Sequence, residues 1–203
     1  MMGAPSDKRI RSRQVIVVPL KRFDHAKQRL RASANVDVTR LAQDLAAGVL
    51  AATASRPTIV LSESTRVATF ARRHGADVIT SHARSLNEAV QHAYAQLSDA
   101  FDQIIVVHGD LAAPDGLSSF SPSEGVTIVV DRHGRGTNVL AVPTRLDFHF
   151  AYGDDSARRH RREADRLAQP CSVIIDSPWS LDVDDADDLS ALTTRGGAYA
   201  PPR

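Results

Sequence analysis

The chain has 203 residues, 42% hydrophobic and 24% charged, and its 25 Lys and Arg stand against 24 Asp and Glu for a formal net charge of +1. So even a balance gives the whole chain no field suited to nucleic acid or an anionic membrane. A single cysteine, Cys171, excludes an internal disulfide framework and a cysteine-based zinc site. No apolar run approaches the length of a membrane span or a secretory leader, so a soluble cytoplasmic protein is expected.

In chain order, residues 1–13 are basic and contain Gly3, Pro5 and Ser6, the composition of a solvated, disordered tail. One domain is expected over 14–194, followed by a frayed tail over 195–203 with Gly196, Gly197, Pro201 and Pro202. Runs rich in Val and Ile predict strands over 14–18, 58–61, 76–79, 103–107, 126–130, 138–142 and 172–175, several without polar alternation and therefore buried on both faces. Helical spacing of Leu41, Leu45 and Val49 predicts a helix over 39–54. Ser85 with Glu88 has the spacing of a capping box and opens a second over 85–97; a third runs over 156–167 and a fourth follows the acidic run near 185. Strands alternating with helices predict an α/β fold with a mostly parallel sheet, in which ligands bind beyond the carboxyl ends of the strands.

The residues at those ends carry the chemistry. After the first strand come Lys21, Arg22, Lys27 and Arg29, four cations in nine residues, which suit either a polyphosphate or a solvated basic face. After the fourth come His108-Gly109-Asp110, where the carboxylate either holds a magnesium ion or caps the next turn. Asp131 to Asn138 contains Gly134 and Gly136 around Arg135, a plain turn or a place where backbone amides approach an anion, with Thr137 and Asn138 as further donors. Gly153 and Ser156 precede several cations, and Ser156 also fits an ordinary N-cap. In an extended Asp182-Val183-Asp184 both carboxylates point to one side, as a second contribution to a magnesium site requires; Asp184 or Asp185 equally suits an N-cap, and Asp187 and Asp188 favour the helix dipole. A Walker A loop, a Gly-x-Ser-x-Gly elbow and a helical histidine pair are all absent from the sequence.

Taken in order, Pro19-Leu20-Lys21 with Ala26 to Leu30, Ser85-Leu86-Asn87, Gly109-Asp110-Leu111, Asp131-Arg132 with Gly134 to Asn138, Gly153 with Ser156 and His160, and Leu181 to Asp184 resemble the 2-phospho-L-lactate guanylyltransferase family, including its phosphoenolpyruvate guanylyltransferase branch. The resemblance spans about residues 14–192. It implies a single-domain nucleotidyltransferase fold similar to molybdopterin guanylyltransferases, with a central mixed sheet flanked by helices. It further implies transfer of GMP from GTP to phosphoenolpyruvate or 2-phospho-L-lactate with release of pyrophosphate, in coenzyme F-420 biosynthesis, with Mg2+ as cofactor and a homodimer as the assembly. On this resemblance Lys21, Lys27 and Arg29 hold the triphosphate and Asn87 contacts the nucleotide. Asp110, Asp182 and Asp184 bind the metal, and Thr137, Gly153 and Ser156 bind the acid. Alternatives are 3-phosphoglycerate as acceptor, another base or a sugar phosphate on the same fold, or a catalytically silent nucleotide-binding protein. Retention of Asp110, Asp182, Asp184 and Lys27 argues against the silent form.

Three positions depart from the family pattern: Arg135 replaces the commoner threonine, Ala112-Ala113 replaces a proline-containing turn, and Asp185-Ala186 replaces a Thr-Pro pair. A guanidinium among acid-binding residues can fork onto a carboxylate, a contact worth about 1.5–3 kcal/mol. Arg135→Thr is therefore expected to raise the KM for the acid by roughly tenfold and leave the KM for GTP unchanged. Steady-state kinetics with each candidate acid checks this, and unchanged KM values mean that Arg135 faces water.

Overall fold

The computed structural model describes residues 13–25, 27, 30 and 37–194. Seven strands form one sheet: β1 (Gln14–Pro19), β2 (Thr58–Ser62), β3 (Asp77–Thr80), β4 (Gln103–Val107), β5 (Val126–Val130), β6 (Thr137–Pro143) and β7 (Cys171–Ile174), in the order β3-β2-β1-β4-β6-β5-β7. Only β6 runs against the rest: β4–β6 and β5–β6 are antiparallel and the other four pairings parallel. The helices are α1 (Val38–Thr53), α2 (Thr65–Arg73), α3 (Leu86–Leu97), α4 (Ser156–Arg166) and α5 (Ala186–Thr194). The tails expected at both ends lie outside the described residues, apart from Arg13, whose backbone N–H donates to Asp102 at 2.7 Å.

Alternation along the strands splits the core into two layers. Val15, Val17, Ile104, Val106, Ile128 and Leu140 pack with Tyr94 of α3 and Ala157 of α4 on one face. Ile16, Val18, Val60, Ile105, Val107 and Val139 pack with Ala46 and Val49 of α1 and Val67 of α2 on the other. All seven strands occur where the Val and Ile runs predict them. Helix α2 has no counterpart in the sequence expectation, because it is short and buries only Val67, Ala68 and Ala71; Ser64 caps it, its side chain accepting from the Val67 N–H. At the sheet edge β7 is half open, with Val173 42% exposed, so its apolar run does not mean burial on both faces.

One polar arrangement docks α4. His160 is fully buried; its Nε2 accepts from the Ala151 N–H at 2.9 Å, which leaves Nδ1 to donate to Thr137 Oγ1 at 3.1 Å, while Ser156 Oγ donates to the same hydroxyl at 3.2 Å. Burial first, then the neighbouring Arg159 and His108, push the imidazole from 6.5 down to about 3. A base with a depressed folded value gives the native state stability that is complete above 6.5 and is lost as pH falls toward 3, because only the unfolded chain takes up the proton. His160→Gln is expected to remove that part of the acid sensitivity, whose slope is up to about 1.4 kcal/mol per pH unit. Denaturant melts at pH 7, 5 and 4 check it, and an identical pH slope in the variant refutes it.

Candidate functional site

The chain crosses from β1 outward to β2 on one side and to β4 on the other, so a crevice opens between the carboxyl ends of β1 and β4. It is a cleft of about 1000 Å³ lined by Leu20, Lys21, Lys27, His108, Asp110, Asp182 and Asp184 at one end and by Glu63, His82, Arg84 and Ser85 at the other. Gly109 stands in its floor because a Cβ there would collide with the Leu20 side chain folded over from β1.

Asp182 and Asp184 reach the cleft by backbone pairing. Leu111 bridges to Asp182, the Ala112 N–H donates to Leu181 O at 2.8 Å, and the Val183 N–H donates to Asp110 O at 3.2 Å. Val183 is fully buried against Leu30, Val38, Leu41 and Leu45, which turns its two flanking carboxylates outward together. The start of α5 braces the segment. Asp185 Oδ1 accepts from the Asp188 N–H at 3.0 Å and Asp188 Oδ2 accepts from the Asp185 N–H at 3.0 Å, a reciprocal cap built from two aspartates. Asp188 also accepts from the Asp184 N–H at 2.9 Å and pairs with Arg132 at 2.7 Å. This work of Asp188 goes beyond the dipole role its position suggests, and its signal is the spacing from Asp185.

Lys27 lies among these carboxylates with its side chain only 4% exposed, Nζ standing 2.7 Å from Asp110 and 3.5 Å from Asp184. Its backbone sits at φ +55°, an unfavourable conformation for a residue with a Cβ and one that recurs at functional sites. Burial works against the ammonium, but Asp110 first, then Asp184 and Asp182, more than offset it and raise the lysine. Burial likewise opposes ionisation of Asp110, yet Lys27 and His108 hold its carboxyl below the usual value. Asp182 goes the other way, up to about 6, through burial and then repulsion from Asp110 and Asp184. One ligand atom each of His108, Asp110 and Asp182 lies within 4.8 Å of the others.

The other expected site residues are placed as follows. Lys21 lines the cleft and is exposed, Arg22 pairs with Asp24 at 2.7 Å, and Arg29 lies outside the described residues. Asn87 clamps the backbone of Tyr152, donating to its O at 3.2 Å and accepting from its N–H at 2.6 Å. Thr137 and Ser156 are buried in the His160 arrangement, with Asp155 rather than Ser156 at the N-cap position of α4. Gly153 is exposed at φ +111°, and Arg135 is exposed on the neighbouring loop. In that loop Asp131 Oδ1 accepts from the His133 and Arg135 N–H groups at 3.1 and 2.8 Å, so the anion held by these amides is the chain's own carboxylate. Gly134 supplies a positive φ there, and Gly136 leaves room for Asp131. Asn138 donates to Asp182 at 3.2 Å and its carbonyl accepts from the His108 N–H at 3.0 Å, which ties β6 to the carboxylate cluster.

Comparison with known proteins places the chain in a family and the fold among nucleotidyl transferases. Residues 14–200 match the family model described as "Guanylyl transferase CofC like". The phosphoenolpyruvate guanylyltransferase of Roseiflexus castenholzii is 31% identical over 92% of this chain and 91% of its own length, and that of Mycobacterium sp. strain KMS is 32% identical over 89% and 86%. A nucleotidyl transferase from Methanothermobacter thermautotroptrophicus shares the fold, with a TM-score of 0.62 at 12% identity over 91% of this chain and 97% of that one.

If Lys27 is what keeps Asp110 ionised, Lys27→Ala leaves burial unopposed by its strongest partner, and the Asp110 carboxyl is expected to titrate above the ordinary 3.8 instead of below it. A carbon-13 NMR titration of the carboxyl groups measures this directly; a value still below 3.8 would mean that another group sets it.

Proposed function

The chain belongs to the CofC-like guanylyl transferase family and is a nucleotidyltransferase, and from that premise we propose that it transfers GMP from GTP to the phosphate of phosphoenolpyruvate in the cytoplasm, with release of pyrophosphate. The observation that carries the proposal is the cleft between β1 and β4, where buried Lys27 meets Asp110 and Asp184 at 2.7 and 3.5 Å beside Asp182. The cleft extends away from this cluster toward Ser81 and Ser85, and that length suits a nucleoside triphosphate lying across the strand ends. Among the described residues no helix is long and apolar enough to cross a membrane, and this accords with soluble substrates. Relatives named phosphoenolpyruvate guanylyltransferase favour that acid over its analogues, and membership of the family is consistent with the pathway to coenzyme F-420.

The cluster fits a divalent cation: ligand atoms of His108, Asp110 and Asp182 converge, and burial together with repulsion from Asp110 and Asp184 raises Asp182, so a cation beside it would be favourable. Asp110 and Asp182 would hold Mg2+, with Asp184 beside them on Lys27. Bound there, the ion would neutralise polyphosphate charge.

The chain's own groups do the positioning. Lys27 and Lys21 would hold phosphate oxygens, Lys27 exchanging part of its carboxylate pairing for the triphosphate. The acceptor phosphate is ionised near neutral pH and attacks the α-phosphorus of GTP without a strong base. A new phosphorus–oxygen bond forms, the bond to pyrophosphate breaks, and pyrophosphate leaves with the electron pair. Alignment and charge neutralisation therefore supply the rate enhancement. The acid would sit on the Asp182 side, where Asn138 joins the cluster to the loop carrying Arg135 and Thr137, with Gly153 and Ser156 just behind.

Purified protein given GTP, magnesium and phosphoenolpyruvate is expected to release pyrophosphate, and Asp110→Asn is expected to lower turnover by roughly 10²-fold or more while leaving the fold intact. A coupled pyrophosphate assay reads both. Failure of the wild type with phosphoenolpyruvate, 2-phospholactate and 3-phosphoglycerate alike would overturn the reading, and turnover of Asp110→Asn near the wild-type rate would overturn the role of Asp110.

A further inference from the structure

The two ends of the cleft differ in what their side chains have left to offer a ligand. At the carboxylate end Lys27 and Asp110 pair at 2.7 Å. The far end lies beyond β2 and β3 and is lined by Ser62, Glu63, Ser81, His82, Arg84 and Ser85. Its serines are engaged in local turns: Ser62 Oγ accepts from the Ser64 N–H at 3.3 Å, Ser81 Oγ from the Ala83 N–H at 3.4 Å, and Ser85 Oγ from the Glu88 N–H at 3.2 Å. Glu63 is not engaged. Arg22 is close enough to feel its charge but forks onto Asp24 instead, at 3.1 and 2.7 Å. Among the described residues the Glu63 side chain accepts no hydrogen bond, and it is the one carboxylate lining that end of the cleft.

Sheet order fixes how far this carboxylate stands from the phosphate-binding end. Neighbouring strands run β2-β1-β4, with Glu63 following β2 and Asp110 following β4. Two inter-strand steps separate them, about 10 Å. Parallel pairing of Pro19 with Leu61, continued by the Leu20 N–H donating to Leu61 O at 2.9 Å, brings the ends of β1 and β2 out at the same edge. A nucleotide with its α-phosphate at Lys27 and Asp110 therefore passes its ribose over β1 and brings the far edge of its base to β2. Ala83, Leu86 and Ala89 give that path apolar surface.

We propose that Glu63 reads the guanine base, its two oxygens accepting from the N1–H and the exocyclic amine, and that this contact selects GTP over other nucleoside triphosphates. Resting on the reading of the cleft as a guanylyltransferase site, the assignment goes beyond it by naming the residue that chooses the base. An ionised carboxylate has acceptors only, and guanine places two donors side by side on that edge. Adenine carries an acceptor at N1, so its lone pair would face those of the carboxylate and leave both unpaired. His82 and Arg84 border the same end and supply donors for the guanine O6.

The test measures equilibrium binding of GTP, ITP, 2′-deoxy-GTP and ATP to the full chain with magnesium and without acceptor. ITP differs from GTP only in lacking the exocyclic amine, and 2′-deoxy-GTP only in lacking a ribose hydroxyl. The wild type is expected to bind GTP about tenfold or more tighter than ITP, because the missing bond is a charge-assisted one. In Glu63→Ala that ratio is expected to fall to within about threefold. In Glu63→Gln the amide can donate to adenine N1 and accept from its amine, so ATP is expected to gain on GTP by about tenfold or more. Equal wild-type affinity for GTP and ITP, or an unchanged ratio in Glu63→Ala, overturns the proposal. So does a variant that loses the difference between GTP and 2′-deoxy-GTP instead, since the carboxylate would then hold the ribose. Pyrophosphate release with phosphoenolpyruvate is read separately: base selection by Glu63 without transfer sinks the functional reading and keeps the contact, and transfer with selection indifferent to Glu63 does the reverse.

Discussion

A buried ammonium and three convergent carboxylates require one another, and the site is organised around that requirement. Burial opposes the charge on Lys27, 4% exposed, and on Asp110 alike, and their contact at 2.7 Å offsets that opposition for both. Asp182 lies outside that pairing, and burial first, then repulsion from Asp110 and Asp184, raise it to about 6. On the proposed reading, the negative charge gathered there would attract a cation, and that cation would offset the charge of incoming phosphate. Holding such a cluster together takes a rigid frame, which explains the density of backbone pairing between 110–112 and 181–183 and the reciprocal cap of Asp185 and Asp188.

The frame is a sheet with one strand reversed. Were β6 parallel to its neighbours, its first residues would lie at the far edge; running antiparallel, it delivers Thr137 and Asn138 to the same edge as the ends of β1 and β4. Asn138 can then touch both Asp182 and the His108 backbone, and Thr137 can receive His160 and Ser156 from α4. The reversal thereby joins the carboxylate end of the cleft to the loop carrying Arg135. Arg132, extending from that loop to Asp188, adds a second mechanical connection between the two regions.

Several residues whose types suggest ligand contact also have partners within the chain. Thr137 pairs with the buried imidazole and Ser156 with the Thr137 hydroxyl, Asn87 spends its amide on the Tyr152 backbone, and the amides of His133 and Arg135 are occupied by Asp131. These bonds tie neighbouring elements together, and for the buried Thr137 and Ser156 the pairing is what makes burial tolerable. His108 Nε2 and Tyr152 Oη are the exceptions to that pairing among the buried side-chain atoms of the described residues.

The sequence by itself determined the seven strands, three of the five helices and the coming of a fourth, because runs of Val and Ile and the periodic Leu and Ala of α1 express burial directly. It also determined that Asp182 and Asp184 share a side, since period two around a buried Val183 allows nothing else. Helix α2 escaped notice because three buried residues in nine leave too weak a period, and β7 looked fully buried because an edge strand and a central one share the same Val and Ile signature. What only the tertiary structure decided is pairing across distance. That Lys27 meets Asp110 across 83 positions, that β6 is the reversed strand, and that His108 stands unpaired beside two carboxylates all depend on which chain segments adjoin. Local periodicity carries burial and direction but no information on the partner, because the partner is set by how the sheet orders its strands.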